Sequence, residues 1–182
     1  MPAQSPVRPS VELVLRIAGE DRPGLVEILS QVINDHQGSW IDSSMARLGG
    51  EFAGIVQISV SGDQVAAIRA ALAALESQGI KVSVGRGTAK AVSGDRARLD
   101  LTGLDHPGIV HEISLALARH KVSIDELHTQ VFAGSMTGAQ HFAAKAVIVL
   151  PEGLSAQQLS AELEKIASDM MVEIELRDVE QA

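Results

Sequence analysis

The chain has 182 residues, 46% of them apolar, enough to bury a core as one medium domain or two small ones. It carries 23 acidic against 15 basic residues, a formal net charge of −8, and only 2% aromatic residues: Trp40, Phe52, Phe132 and Phe142. That balance argues against a basic face for duplex DNA and a ring platform for single strands, and the absence of cysteine excludes disulfides, thiolate catalysis and cysteine zinc sites.

Residues 1–10, MPAQSPVRPS, lack an apolar h-region and read as a disordered lead-in. No run approaches the roughly 18 apolar residues of a spanning helix, so a soluble, cytoplasmic protein is expected. Val11, Leu13, Leu15 and Ile17 then alternate with Glu12, Val14 and Arg16, the period of a strand. "GEDRPGLVEILSQVINDHQ" follows, with Leu25, Ile28, Leu29, Val32 and Ile33 at helix spacing. Asp21 is expected to cap this helix, Pro23 to fall in its first turn, and Gly38 to close it in a left-handed conformation. Trp40 to Leu48 is extended, Gly49-Gly50 is a hairpin, and Phe52, Val56, Ile58 and Val60 form one face of the next strand. Asp63 is expected to cap a second helix through Val65, Ile68, Leu72 and Leu75, ended by Gly79, before a last strand at Ile80, Val82 and Val84.

The order βαββαβ then recurs. "GLDHPGIVHEISLALARHK" repeats the turn and helix, so that Asp105 follows Asp21 by 84 residues (105 − 21). Ile124 follows Ile41 by 83 (124 − 41), which implies one residue gained or lost. Leu99 and Leu101 mark the first strand, and Ile109, Ile113 and Leu117 stripe the helix. Val122 to Phe132 is extended, Gly134 to Gly138 forms a longer hairpin loop, and Phe142, Ala144, Ala146 and Ile148 face the core. Ser155 to Gln158 is a capping box with Leu154 and Leu159 as its staple, and Val172, Ile174 and Leu176 close the unit. Residues 87–95, within the aperiodic GRGTAKAVSGDRA, are read as a linker between domains at 11–86 and 96–178. The fold class is α+β: two tandem ferredoxin-like units, each an antiparallel sheet with helices on one face. The second and fourth strands are sheet edges, and pairing one unit's edge with the other's would remove an exposed edge.

Asp-x-Pro-Gly-Leu/Ile-Val between a first strand and a first helix, on this frame, resembles the ACT domain, a small regulatory amino-acid-binding module, over both halves. With IDSSMARLGGEF and VSIDELHTQV after the first helices, the pair resembles the glycine cleavage system transcriptional repressor family. That resemblance implies action through a DNA-binding activator rather than on DNA, in line with the acidic charge. It leaves the amino acid open.

A helix N-terminus offers unpaired N–H groups to a carboxylate, and glycine in the first turn permits close approach. The candidate ligand-binding residues are Asp21, Arg22, Pro23, Gly24 and Leu25, with Ile41 and Asp42, and Asp105, His106, Pro107, Gly108 and Ile109, with Ile124 and Asp125. Asp42 or Asp125 would match the ligand's ammonium, and a site between the copies would bring one unit's turn beside the other's Ile-Asp. Against this stand plainer roles: helix caps for Asp21 and Asp105, packing for Gly24 and Gly108, solvated strand residues for Asp42 and Asp125, and core filling for Trp40. His106 and His111 are spaced poorly for a metal on one helical face, with His128 as a neighbour to examine. No nucleophile elbow, phosphate loop or dinucleotide fingerprint occurs, so no enzyme activity, cofactor or metal is expected. The expected partners are a small amino acid and a protein such as a transcriptional activator, without direct nucleic-acid or membrane contact. The open sheet face or a leftover edge would serve a partner or a homodimer. The alternative is a scaffold of paired units that binds no metabolite.

Overall fold

The computed structural model describes residues 10–87, 93–134 and 138–178. They form two compact units that divide between Ala89 and Lys90. The lead-in through residue 9, linker residues 88–92 and hairpin residues 135–137 lie outside the described residues.

The first unit runs β1 (Ser10–Glu20), α1 (Leu25–Asp35), β2 (Ser39–Leu48), β3 (Glu51–Ser61), α2 (Val65–Ala74) and β4 (Ile80–Arg86). Its sheet order is β2-β3-β1-β4, all antiparallel, with β2 and β4 at the edges. Alternation along β1 and β3 sends Leu13, Leu15, Ile17, Val56, Ile58 and Val60 to the helix side, against Leu25, Leu29, Ile33, Ile68 and Leu72. The hairpin between β2 and β3 uses Gly49 and Gly50 at φ 61° and 87°, the paired left-handed residues of a tight turn.

The second unit repeats this as β5 (Asp95–Leu104), α3 (Ile109–Arg119), β6 (Ser123–Ala133), β7 (Gln140–Leu150), α4 (Ala156–Met170) and β8 (Val172–Asp178). The sheet order is β6-β7-β5-β8. Strand β5 begins inside the stretch read as linker. Leu99, Leu101, Ile113, Leu117, Ile148, Leu159 and Leu163 build its core. The Ser155–Gln158 capping box forms in both directions, and Leu154 and Leu159 both pack on the core.

Strand register gives the true correspondence of the halves. Trp40 lies opposite Ile58 and Asp42 opposite Gln57, which leaves Ile41 as the extra residue of a β-bulge. Ile124 lies opposite Ile148 and Glu126 opposite Val147, which leaves Asp125 as the extra residue. Trp40 therefore corresponds to Ile124, Ile41 to Asp125 and Asp42 to Glu126, an offset of 84 (124 − 40). No residue is gained or lost between the turn and the edge strand. The two Ile-Asp pairs are not counterparts, and their likeness is a one-residue coincidence.

Four expected caps are corrected. Gly24 and Gly108, not Asp21 and Asp105, are the N-caps of α1 and α3, and both lack a side-chain cap bond. Pro23 precedes the helix rather than entering it. Gln37, with φ 55°, is the left-handed residue after α1, and Gly38 is instead small because a Cβ there would press on Ile33 and Val60. Asp63 lies within a short 3-10 turn (Gly62–Gln64), and α2 begins after Gln64 without a side-chain cap.

Candidate functional site

Each Asp-x-Pro-Gly turn links the end of a first strand to a first helix. In the first unit the Asp21 N–H donates to the Gly50 carbonyl at 2.8 Å, and in the second the Asp105 N–H donates to Gln140 at 2.9 Å. The turn is thereby pinned to the neighbouring hairpin. The chain then swings through left-handed glycine, φ 93° at Gly24 and 102° at Gly108, a conformation that costs other residues roughly 1–2 kcal/mol. The first helical bonds run from Ile28 to Gly24 and from Glu112 to Gly108. The three amides before each of those donors precede the helical ladder and have no partner within it. A Cβ built on either glycine meets nothing within 4 Å, so the space over the turn is open. Leu25 and Ile109, next in the chain, are buried anchors rather than surface contacts.

The second residue of each turn has a structural task. Arg22 Nη2 donates to the Gln78 carbonyl at 2.9 Å, and His106 Nε2 contacts the Met170 carbonyl at 3.1 Å. Gln78 ends the 3-10 turn (Leu75–Gln78) that continues α2, and Met170 ends α4, each just before a left-handed residue, Gly79 or Met171. Arg22 and His106 therefore clasp the turn to the far helix, where a donor also suits the negative end of the helix dipole. No sequence window shows this, since the partners are 56 and 64 residues apart. Gly19 and Gly103 complete the clasp, because a Cβ there would strike the Gly79 carbonyl oxygen at 2.7 Å or Val172 Cγ1 at 2.5 Å.

The Ile-Asp residues lie elsewhere. Asp42 sits beside Gln57, whose partner is Val14, six residues along β1 from the turn-side pair Glu20–Glu51. That is about 20 Å at the rise of a strand. Asp42 and Asp125 are thus at the opposite end of their own sheets from Asp21 and Asp105. Asp42 Oδ1 accepts from the Ser43 N–H, and Asp125 Oδ2 accepts from Arg96 Nε and Nη2 at 3.1 and 2.9 Å. Ile41 and Ile124 are half exposed. Within one unit the turn and the Ile-Asp pair do not meet.

His106 and His128 are likewise not gathered into a cluster: His128 lies on the face away from the helices, beside Ala143 and Lys145. Among the described residues no group of three or more His, Asp or Glu could hold a metal ion. No helix among them is long and apolar enough to cross a membrane.

Residues 12–85, the strand, turn, helices and edge just described, match the sequence profile of the ACT domain family. The first unit is similar to an ACT domain along nearly its whole length. The second repeats the ACT fold element for element, so the chain is a tandem of ACT-type units. It is similar over 94% of its length to a protein of unknown function from Galdieria sulphuraria, at 27% identity, 99% coverage of that chain and a TM-score of 0.81. It also shares its fold with a provisionally assigned glycine cleavage system transcriptional repressor, at 19% identity, 94% and 99% coverage and a TM-score of 0.71. No protein of curated function matches. ACT domains typically bind amino acids for regulation.

Proposed function

We propose that this tandem ACT protein is a cytoplasmic sensor of a small amino acid, glycine or a near relative, and regulates a protein partner by direct contact. A transcriptional activator or a metabolic enzyme fits the partner role, and the chain itself neither touches DNA nor catalyses a reaction. The observation that carries the reading is the exposed Asp-x-Pro-Gly turn, with its left-handed glycine, inside the ACT-matching segment and built again in the second unit. The ligand carboxylate would rest on the first amides of α1 or α3. The turn aspartates, Asp21 and Asp105, are better placed than Asp42 or Asp125 of the same unit to face its ammonium.

Regulation would follow from population shift: a ligand that prefers one conformation of the protein favours the partner surface belonging to it. Thermal unfolding with and without a panel of amino acids tests the reading. A ligand at 100 times its dissociation constant should add roughly 2.7 kcal/mol. No shift with any amino acid leaves the scaffold reading, which the exposed Leu127, Val131 and Phe132 of the β6 edge favour.

A further inference from the structure

Among the described residues four strands edge the two sheets: β2, β4, β6 and β8. Three of them carry the features that keep an edge from pairing with another chain, namely shortness, charge or cover. Strands β4 and β8 have seven residues each, with Lys81 and Arg86 on the first and Glu173, Glu175 and Arg177 on the second. The Val84 carbonyl of β4 also accepts from Arg69 Nη1 at 3.0 Å. Strand β2 carries Asp42 and Arg47, and Arg47 is paired with Asp21 at 3.3 Å.

Strand β6 is long and uncharged where it could pair. It has 11 residues, its bulge and both its acids fall near the start, and residues 127–133 include no Lys, Arg, Asp, Glu or Pro. At the constant offset of 84, Val131 stands where the first unit has Arg47, and Leu127 where it has Ser43. Val131 is 53% exposed and Leu127 46%. Both point to the helix side, where Leu127 lines a cavity of about 30 Å³ together with Val110, Ile113 and Ile124. Val110 and Ile124 are themselves exposed, so an apolar surface runs from the strand edge onto the flank of α3.

The order of side chains along β6 says what fits it. Leu127-His128-Thr129-Gln130-Val131 reads almost alike in both directions: apolar, polar, Thr129, polar, apolar. An antiparallel second copy turned about Thr129 therefore sets Leu127 opposite Val131 twice on the helix side, and His128 opposite Gln130 twice on the other face. Glu126 comes opposite Phe132 rather than a second carboxylate. The matching stretch of β2, residues 43–47 around Met45, which sits against Gly54, lacks this symmetry and would set Arg47 against Ser43. A two-fold axis normal to the sheet keeps both α3 helices on one side, with their Val110 flanks facing across the paired strands.

We propose that β6 is the edge through which this protein associates with a second copy of itself: residues 126–132 pair antiparallel with their own counterparts, centred on Thr129, into one eight-stranded sheet. The ladder and its apolar side chains are small against the roughly 800 Å² per partner of a standard interface. The dimer is therefore reversible and forms as concentration rises. It needs no amino-acid ligand and stands whether or not the turns bind one.

The chain has no cysteine, so a single introduced thiol reports its neighbour directly. Residues opposite each other in an antiparallel pair have Cα atoms about 4.5–5.5 Å apart, within the reach of a disulfide. Analytical ultracentrifugation of the full chain should show a dimer that dissociates on dilution. Thr129→Cys, oxidised at the concentration where the dimer prevails, should give a covalent dimer, and Met45→Cys, the same position of β2, should not. Val131→Lys should return the chain to monomer with its circular dichroism unchanged. Adding Leu127→Glu to it should restore the dimer, because the two new charges then face each other across the axis. A monomer at every concentration overturns the proposal, even if an extended peptide binds this edge. A dimer that survives Val131→Lys, or a double variant that stays monomeric while folded, overturns the register. Cross-linking through Met45→Cys and not Thr129→Cys overturns the choice of edge.

Discussion

The first and second turns share a backbone and differ in what surrounds it. Both use a left-handed glycine, an amide held by the adjacent hairpin and a clasp to the second helix. Around that frame the first unit has Arg47, Glu27 and Met45 where the second has Val131, His111 and Thr129. The parts that set geometry recur in both units, and the side chains around them differ. A repeated motif is therefore evidence of a repeated shape, and its chemistry must be read at each copy.

The comparison is tested hardest at the two cores. Leu15→Ala and Leu99→Ala remove matched, buried side chains, and each should cost about 2–5 kcal/mol. Calorimetry of both should show whether the same deletion falls on separate transitions or one. Next come the glycines at the clasp: Gly19→Val and Gly103→Val force a side chain against backbone or Val172 and should each cost roughly 1–3 kcal/mol. Equal losses would show the clasp to be the same device in both units. Ser155→Ala should lower stability by about 1 kcal/mol, since α4 alone of the second helices has a capping box. Gln64→Ser at the α2 start has no such bond to lose and should change little. The smallest effect belongs to Arg47→Val, which gives the first turn the second turn's residue. An exposed pair of this kind contributes roughly 0–1 kcal/mol, so the melting temperature should barely move.

Most of the frame was legible because it is local. Period-two runs such as Val11 to Ile17, the helix stripe from Leu25 to Ile33 and the Gly49-Gly50 hairpin each announce themselves within a few residues, and edges follow from right-handed crossovers. The caps were misread because Asp21 is a good N-cap by type, while the position itself is taken by Gly24 with φ 93°. The Ile-Asp alignment failed for a different reason: Ile41 and Asp125 hold the same bulge position, so the repeated pair is one residue out of step, and only hydrogen-bond register reveals it. The site was legible as far as the turn. Its surroundings were not, because Arg22 and Gln78, or Met45 and Gly54, meet only across the fold.

The unbroken count of 84 from β1 through β2 makes this stretch an interchangeable cassette. Residues 10–48 and 94–132 could trade places without changing chain length or the ladder partners they must find. The added length of the second copy falls only after that block, in its longer hairpin and its longer second helix. Recombination between the halves inside the block would keep every backbone pairing, and its one steric cost would fall where Met45 came to lie over Ala144 in place of Gly54.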